Sequence, residues 1–347
     1  MKLRRIILPL ALLLLAPCFA WGQEQKLDVK GIVLGHLADS YEWHITNVGK
    51  RAIAIPLPVI VWGHDGAWRL FLSSRFEENG GSYQGLSIAE GGDHAGKIVE
   101  ADGSRPRLDI SLTKTSLAIV INSAVLLLLV LPLARWYRRG KVAPPKGMRG
   151  AVEMLAEYVD DEVLKPCLGE ENRKYTPLLL TFFFFIFVNN MMGLIPFFPG
   201  GATVTGNIAV TVILALVTFL VVNFSGTKEY WKEVFWPEVP VWLKVPAPIM
   251  PAIEVFGLFT KPFALTIRLF ANIFAGHAVI LAMVCVIFIT APMGAGVNGS
   301  MTVVSVIFSI FMFCMELLVG FIQAYVFTLL SAVFISLAKV KHENHNH

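Results

Sequence analysis

Polar and ionisable residues whose side chains could take part in chemistry interrupt two long apolar segments in the second half of the chain. They are Glu254, Lys261, Arg268 and His277 in the first segment, and Glu316 and Gln323 in the second. An ionised side chain at the centre of a bilayer costs roughly 2.5–3.5 kcal/mol on insertion scales. Ionisable groups retained at such a cost typically mark a path for ions or protons.

Arg268 has no acidic residue within two helical turns on either side. Its guanidinium stays protonated at any relevant pH, so it cannot escape desolvation by losing a proton. It therefore needs water or an anionic partner from elsewhere. On the residues alone, one interpretation is a buried ion pair with Glu254 or Glu316 that only holds helices together. The other is a barrier charge that faces a partner within the membrane.

Helical geometry distributes these residues over different faces. One stripe of the first segment carries Glu254, Lys261, Leu265, Arg268, Asn272 and Gly276. His277 lies close to the opposite face, and the second segment places Glu316, Gly320 and Gln323 on one face.

From this pattern we expect the Arg268 stripe, together with Gln323, to face a partner in the membrane. We expect His277 and Glu316 to pair within the subunit and to line a hydrated path. Histidine and glutamate can both exchange protons near neutral pH once their surroundings favour it. Arginine cannot, which makes Arg268 a barrier where the other two form a relay.

The composition is that of a polytopic membrane protein. Of the 347 residues, 55% are hydrophobic and 16% are charged, whereas a soluble domain carries about a quarter charged residues. The net charge of +4 is mild, and the basic residues cluster beside apolar segments, which argues against a nucleic-acid partner. The four cysteines have neither metal-ligand nor disulfide spacing.

The N-terminus has the three-part form of a secretory signal peptide, which we assign to residues 1–22. Basic residues precede an apolar run from Ile6 to Ala16, and small residues follow at Ala20 and Gly22. The apolar run is shorter than the ~20 residues that span a bilayer. Cleavage near Ala20 or Gly22 would leave the mature N-terminus outside the plasma membrane.

Residues 23–113 are polar and rich in glycine, with strand-like stretches from Ala52 to Trp62 and from Trp68 to Leu72. We predict a small extracytoplasmic domain of β or irregular structure. Its histidines lack the tight spacing of a metal site, and we predict none there; they are His36, His44, His64 and His94.

Apolar segments long enough to cross a bilayer occur five times after this domain. They cover about residues 117–134, 176–198, 205–224, 246–290 and 301–337. Basic residues from Arg135 to Arg149 follow the first segment directly and indicate that its end is cytoplasmic. The last two segments are overlong, which predicts strong tilt.

Residues 150–168 predict an amphipathic helix, either at the cytoplasmic surface or as a solvated connector. The Pro-rich stretch 240–251 leaves open a sixth short helix. The predicted fold is therefore an all-α polytopic membrane protein of five to six transmembrane helices, two of them long and tilted, behind the small extracytoplasmic domain. The predicted membrane domain covers residues 114–341, and residues 342–347 form a cytoplasmic tail.

The arginine segment resembles the signature of subunit a of F-type ATP synthases. The resemblance rests on Lys261-Pro262, on Arg268-Leu-Phe-Ala-Asn272 and on Ala275-Gly276-His277. Supporting matches run from Asn190 to Pro196, from Asn207 to Thr211, at Glu254 and at Gln323-Ala324, so the resemblance covers about residues 115–340.

This resemblance implies a stator subunit that feeds protons to a ring of c subunits. It implies that Arg268 holds the unloaded ring carboxylate and separates two offset half-channels. It implies that Glu254, His277 and Glu316 line the proton path from outside, with Asn272 and Gln323 as polar lining. The implied partners are the c-ring, a b-type peripheral stalk subunit, the other synthase subunits and the bilayer of a bacterial plasma membrane, with the C-terminus cytoplasmic.

The chain departs from the family pattern at three places. Many bacterial relatives carry an acidic residue at the position of His277 and a histidine at that of Glu316, so the pair is exchanged here. The aspartate common at the start of the third span is absent, with Gly206 in that region. The long exported domain has no firm counterpart in the pattern.

The sequence gives less support to two other functions. A secondary transporter could use Glu254, Arg268 and Glu316 as a substrate site, but no internal repeat is visible. A structural anchor would not need intramembrane Arg, His and Glu. No phosphate-binding loop of the G-x-x-x-x-G-K-[ST] form occurs, so ATP chemistry would belong to partner subunits, and we predict no cofactor and no metal in this chain.

Overall fold

The computed structural model describes most of the chain. The described residues are 29–48, 51–89, 91–140, 143–169, 172–196, 198–236 and 249–339. The predicted signal peptide, the tail at 342–347 and nearly all of the Pro-rich stretch 240–251 lie outside them.

The N-terminal part, which we predict to be exported and call the exported part, is built from short strands with two short helices. It contains α1 (Val29–Leu37), β1 (Glu42–Val48), β2 (Arg51–Pro56), β3 (Pro58–Trp62), β4 (Trp68–Leu72), α2 (Ser74–Glu78), β5 (Ser82–Tyr83), β6 (Leu86–Ile88), β7 (Ile98–Glu100) and β8 (Leu108–Asp109). The strands form a β1-β2 hairpin and two antiparallel three-stranded sheets of order β4-β3-β8 and β5-β6-β7. The expectation of β structure is confirmed, whereas α1 and α2 were not expected.

The sequence pattern predicts one strand from Ala52 to Trp62, but the structure contains two. The stretch breaks at Leu57 into β2 and β3, which belong to different sheets. Pro56 and Pro58 flank the break, and neither has a backbone N–H to donate to a ladder. The strand from Trp68 to Leu72 agrees with the prediction.

A small apolar core holds the two sheets together. It contains Tyr41, Val59, Val61, Phe76, Leu86 and Ile98. The Tyr41 hydroxyl donates a hydrogen bond to Asp109 Oδ2 at 2.9 Å. Burial, and secondly the neighbouring Asp109 charge, raise the pKa of Tyr41 far above its ordinary value, so the phenol remains protonated.

Five helices in the described residues are long and apolar enough to cross a membrane. They are α3 (Lys114–Arg138), α6 (Asn172–Gly193), α7 (Ile208–Ser225), α9 (Ile249–Thr290) and α10 (Ala295–Lys339). The second span ends at Gly193, before Pro196, because proline disfavours a helical residue ahead of it.

The two overlong segments are single helices of 42 and 45 residues. At a rise of 1.5 Å per residue they are about 63 and 68 Å long, roughly twice the ~30 Å hydrocarbon core. Such helices fit a bilayer when tilted or when they project from it. A short turn at Ala291–Met293 joins them, and α9 packs more extensively against α10 than against any other described element.

The predicted amphipathic helix is present as α4 (Met148–Val159), a π-helical turn (Asp160–Leu164) and α5 (Lys165–Leu168). Val152, Val159 and Val163 are buried, while Glu157 and Asp161 are exposed. The apolar stripe therefore packs into the membrane core cluster, beside α6 and α10. A last short helix, α8 (Lys228–Phe235), follows α7.

Candidate functional site

His277 of α9 and Glu316 of α10 contact each other through His277 Nδ1 and Glu316 Oε1. The Glu316 side chain is buried, with only 4% of the residue exposed. The expectation that these two residues pair within the subunit is confirmed, although their backbones lie on different helices 39 positions apart in sequence.

Glycine at position 276 makes this contact possible. A Cβ atom there would lie 3.1 Å from both Cδ and Oε1 of Glu316. That separation is tighter than ordinary van der Waals contact, so a side chain would push the carboxyl group away. Gly276 thus faces Glu316, and its predicted place on the Arg268 stripe was wrong.

The second ring nitrogen of the histidine is also engaged. His277 Nε2 lies 3.2 Å from the carbonyl oxygen of Gly193, at the end of α6. A carbonyl oxygen can only accept, so Nε2 carries a proton. A proton on Nδ1 facing an ionised carboxylate, or on Glu316 facing a neutral ring, would be shared across the remaining contact. Such a shared proton is what a relay requires.

A hydrogen-bonded amide borders this pair. Asn190 Nδ2 donates to the carbonyl oxygen of Gly320 at 2.9 Å, and Asn190 Oδ1 accepts from the Thr205 hydroxyl at 2.5 Å. Gly320 lies one helical turn after Glu316, so Asn190 fixes the part of α10 that carries the carboxylate. Asn190 and Thr205 are both buried.

A second amide pair was missed by the sequence analysis. Asn122 Nδ2 donates to Asn189 Oδ1 at 2.9 Å, and Asn189 Nδ2 donates to the Phe185 carbonyl at 2.7 Å. Both residues are buried and connect α3 to α6. The signal was present, since an amide inside an apolar run is costly unless it has a partner.

Arg268 lies at the surface of the subunit, unlike the His277–Glu316 pair. Its side chain is exposed on the surface of α9, as is that of Asn272 one turn later. Within the described residues no carboxylate forms a salt bridge with Arg268, so the interpretation as an ion pair with Glu254 or Glu316 is wrong. Leu265, Leu269 and Ile273 occupy the buried side of the helix, with exposures of 2, 1 and 3%.

Gln323 does not share the exposed surface of Arg268. It is 7% exposed and continues the buried stripe of Glu316 and Gly320 along α10. The predicted common face of those three residues is confirmed, but the expectation that Gln323 faces a partner outside the chain was wrong. The physical reason is that this face of α10 turns toward helices of the same chain, with Gly320 against Asn190 and Met191 of α6 and Glu316 against Gly276 of α9.

Glu254 lies far from the His277–Glu316 pair. The 23 residues that separate Glu254 from His277 on one continuous helix correspond to about 35 Å of rise. The Glu254 charge acts instead on Tyr230, whose pKa is raised by burial and secondly by that charge. The structure therefore does not bring Glu254 together with His277 and Glu316.

Three or more metal-ligating side chains do not come together anywhere in the described residues. His64 contacts Glu100 at 3.3 Å, while the side chains of His36 and His44 lie outside those described.

Comparison with known proteins gives the family. The profile described as ATP synthase A chain matches residues 117–336. The chain belongs to the ATP synthase subunit a family. A second profile, described as a domain of unknown function (DUF8433), matches residues 32–117, which is nearly the whole exported part.

Curated relatives support the same assignment. ATP synthase subunit a of Chloroherpeton thalassium is 41% identical over 68% of this chain and 69% of the relative. That of Myxococcus xanthus is 41% identical over 69% of this chain and 78% of the relative. That of Pelodictyon phaeoclathratiforme is 42% identical over 69% of this chain and 68% of the relative.

Membership makes the chain a proton-translocating, multi-pass subunit of the membrane sector of ATP synthase. It replaces the alternatives of a secondary transporter and of a structural anchor. The resemblance seen at Lys261–His277 is thus confirmed across the membrane part.

Proposed function

We propose that the chain is the stator that carries protons past a rotating c-ring through two offset half-channels, with Arg268 between them. The observation that carries this proposal is an exposed arginine on a membrane helix without a carboxylate partner in the described part of its own chain. A permanent cation on a membrane-facing surface needs a counter-charge from another molecule. Ring carboxylates that pass in turn would supply it.

The outer half-channel contains the His277–Glu316 pair. The proton held between these groups can move to a ring carboxylate and be replaced from outside through the polar side chains beside it, Asn190 and Thr205. A neutralised ring carboxylate can then rotate into lipid, where an ionised one would be costly.

The inner half-channel contains Glu254, at the other end of α9. A ring carboxylate that has completed almost a full turn loses its proton there to the cytoplasm. Arg268 attracts the resulting anion and blocks a direct path between the two half-channels. Asn272, exposed one turn after Arg268, lines the same surface, and Gln323 supports it from within the subunit.

The wider assembly follows from the same proposal. Each proton that crosses 100 mV supplies about 2.3 kcal/mol, so several are needed for each ATP, and a ring with many sites provides them. The partners are the c-ring, a b-type peripheral stalk subunit and the other synthase subunits. The subunit has no ATP chemistry of its own. It resides in a bacterial plasma membrane, with residues 1–22 removed, residues 23–113 outside and the tail 342–347 inside.

The test is ATP-driven proton pumping by sealed membrane vesicles that carry the intact complex. Arg268→Ala is compared with wild type and with Arg138→Ala, which removes a basic residue at the end of α3. We expect Arg268→Ala to abolish coupled pumping while the subunit remains assembled, and Arg138→Ala to pump at the wild-type rate. Pumping by Arg268→Ala at the wild-type rate would refute the barrier mechanism.

A further inference from the structure

The β1-β2 hairpin of the exported part contacts the loop that joins α6 to α7. Trp43 is 3% exposed and packs in one cluster with Ala118, Ala202 and Val204, which are 1, 3 and 0% exposed. Its ring also meets that of Phe198 edge to face, with centroids 5.3 Å apart. The indole therefore lies between the start of α3 and the loop residues 198–204.

The other side of this loop contacts the proton-transfer site. Thr205 donates the hydrogen bond that orients Asn190. A Cβ atom added to Gly193 would lie 3.6 Å from the Ala202 carbonyl oxygen and 3.8 Å from the Thr203 Cα, so the loop backbone lies close to Gly193. The Gly193 carbonyl oxygen is in turn the partner of His277 Nε2. Loop residues 202–205 thus lie between Trp43 and the groups that orient His277 and Glu316.

The hairpin is itself tied to the membrane part. Thr115 N donates to Asp39 Oδ1 at 3.0 Å, and Lys114 N donates to the Ser40 carbonyl at 2.8 Å. Both donors are backbone groups in the first turn of α3, where no intrahelical acceptor is available. The segment immediately before β1 is therefore attached to the helix, which limits how Trp43 can move.

The loop is held by a few backbone hydrogen bonds, including those from Gly201 N to the Met192 carbonyl and from Gly206 N to the Thr203 carbonyl. It contains Gly200, Gly201 and Gly206, and Gly201 has a φ of +77°. Fixing a flexible residue costs about 1–2 kcal/mol of conformational entropy, so a glycine-rich loop keeps one arrangement only when other contacts oppose that cost. The buried indole adds a large apolar contact to those hydrogen bonds.

We propose that the hairpin is a brace for the loop, and that Trp43 is a positioning residue for proton entry. Trp43 acts through Ala202 and Val204 on Thr205 and Gly193, and through these on Asn190 and His277. The inference rests on the proposed function of the His277–Glu316 pair, and it assigns a role in that function to the exported part.

The experiment measures ATP-driven proton pumping per assembled complex, together with ATP hydrolysis, for Trp43→Ala and Trp43→Phe. Trp68→Ala is the matched control, because Trp68 belongs to the same exported part but is 60% exposed and stacks on Trp62. A misplacement on the order of 1 Å can cost about a hundredfold in rate. We expect Trp43→Ala to reduce pumping about tenfold or more, Trp43→Phe to restore most of it, and Trp68→Ala to leave it unchanged.

Phe198→Ala removes the ring partner on the loop side and, at 41% exposure, is compatible with folding. It should reduce pumping in the same direction as Trp43→Ala. Wild-type pumping by Trp43→Ala would refute the positioning role of Trp43. If Trp43→Ala fails to assemble, wild-type pumping by Phe198→Ala would refute it. A parallel Glu316→Gln variant separates the two proposals. Loss of pumping in this variant would support the proposed function whatever the result for Trp43, whereas normal pumping would refute the proposed function.

Discussion

At the scale of single residues, the site depends on how closely Glu316 can approach its neighbours. A carboxylate buried without a partner is costly, and breaking a buried pair by removing one member typically costs about 3–5 kcal/mol. Glu316 avoids that cost because His277 meets it on one side and Gly276 leaves room on the other. The small residue is therefore as necessary to the geometry as the two ionisable ones.

Substitution of Gly276 by alanine should impair proton transfer. A methyl group would lie 3.1 Å from Glu316 Cδ, and overpacking of this kind costs about 1–3 kcal/mol. Since 1.4 kcal/mol corresponds to about tenfold, we expect proton pumping to fall about tenfold. The measurement is pumping by sealed vesicles at equal amounts of assembled complex.

Gly299→Ala is the control for this prediction. Gly299 lies in α10, and a Cβ atom there would meet nothing within 4 Å. Both substitutions gain the same ~1 kcal/mol of helix propensity, so a difference between them reports the contact with Glu316. Equal pumping by the two variants would show that Gly276 is not required for room.

At the scale of elements, amide side chains determine which helix faces meet. Lipid tails are as apolar as leucine, so association of membrane helices depends on packing and on interhelical hydrogen bonds. Asn122 joins α3 to α6, and Asn190 joins α6 to α10 and to the loop before α7. These bonds set the rotation of each helix about its axis, which decides whether His277 and Glu316 can meet.

Asn122→Leu should loosen the first span. The substitution removes the donor to Asn189 Oδ1, and an interhelical hydrogen bond of this kind is worth about 0.6–1.7 kcal/mol. We expect a lower midpoint of thermal unfolding for the detergent-solubilised subunit. Leu128→Ala, at a position of α3 that is 71% exposed, should leave the midpoint nearly unchanged. A midpoint for Asn122→Leu equal to that of this control would contradict the role of the bond.

At the scale of the whole molecule, charge and hydropathy predict how the chain lies in the bilayer. The basic run at the end of α3 contains Arg135, Arg138 and Arg139 and predicts that this end is cytoplasmic. In the orientation that we propose, the exported part lies outside, and its hairpin reaches the α6–α7 loop beside the proposed outer half-channel.

Cysteine labelling tests this orientation. In a chain whose own cysteines are replaced by serine, Asp93→Cys and Glu157→Cys each place one thiol at an exposed position. A membrane-impermeant maleimide added to intact cells should label Asp93→Cys and should label Glu157→Cys only after permeabilisation. The reverse pattern would invert the topology and exchange the two half-channels.

Much of this protein could be predicted from the sequence because the underlying properties are local. The hydropathy of each span is a property of its own residues, and the cost of placing Arg268 within a bilayer does not depend on which helix is adjacent. The strand from Trp68 to Leu72 is likewise visible in its own residues, and the arginine segment was sufficient to indicate the family.

Only the tertiary structure decided which faces meet. Helical periodicity gives the angular position of Gly276 around the axis of α9, but it does not show that Glu316 lies on that side of the helix. It could not tell that Gln323 turns into the core, that α9 continues unbroken from Glu254 to His277, or that Trp43 reaches Ala202. These relations depend on packing between segments far apart in the chain, and packing is determined by the three-dimensional fit of all the helices together.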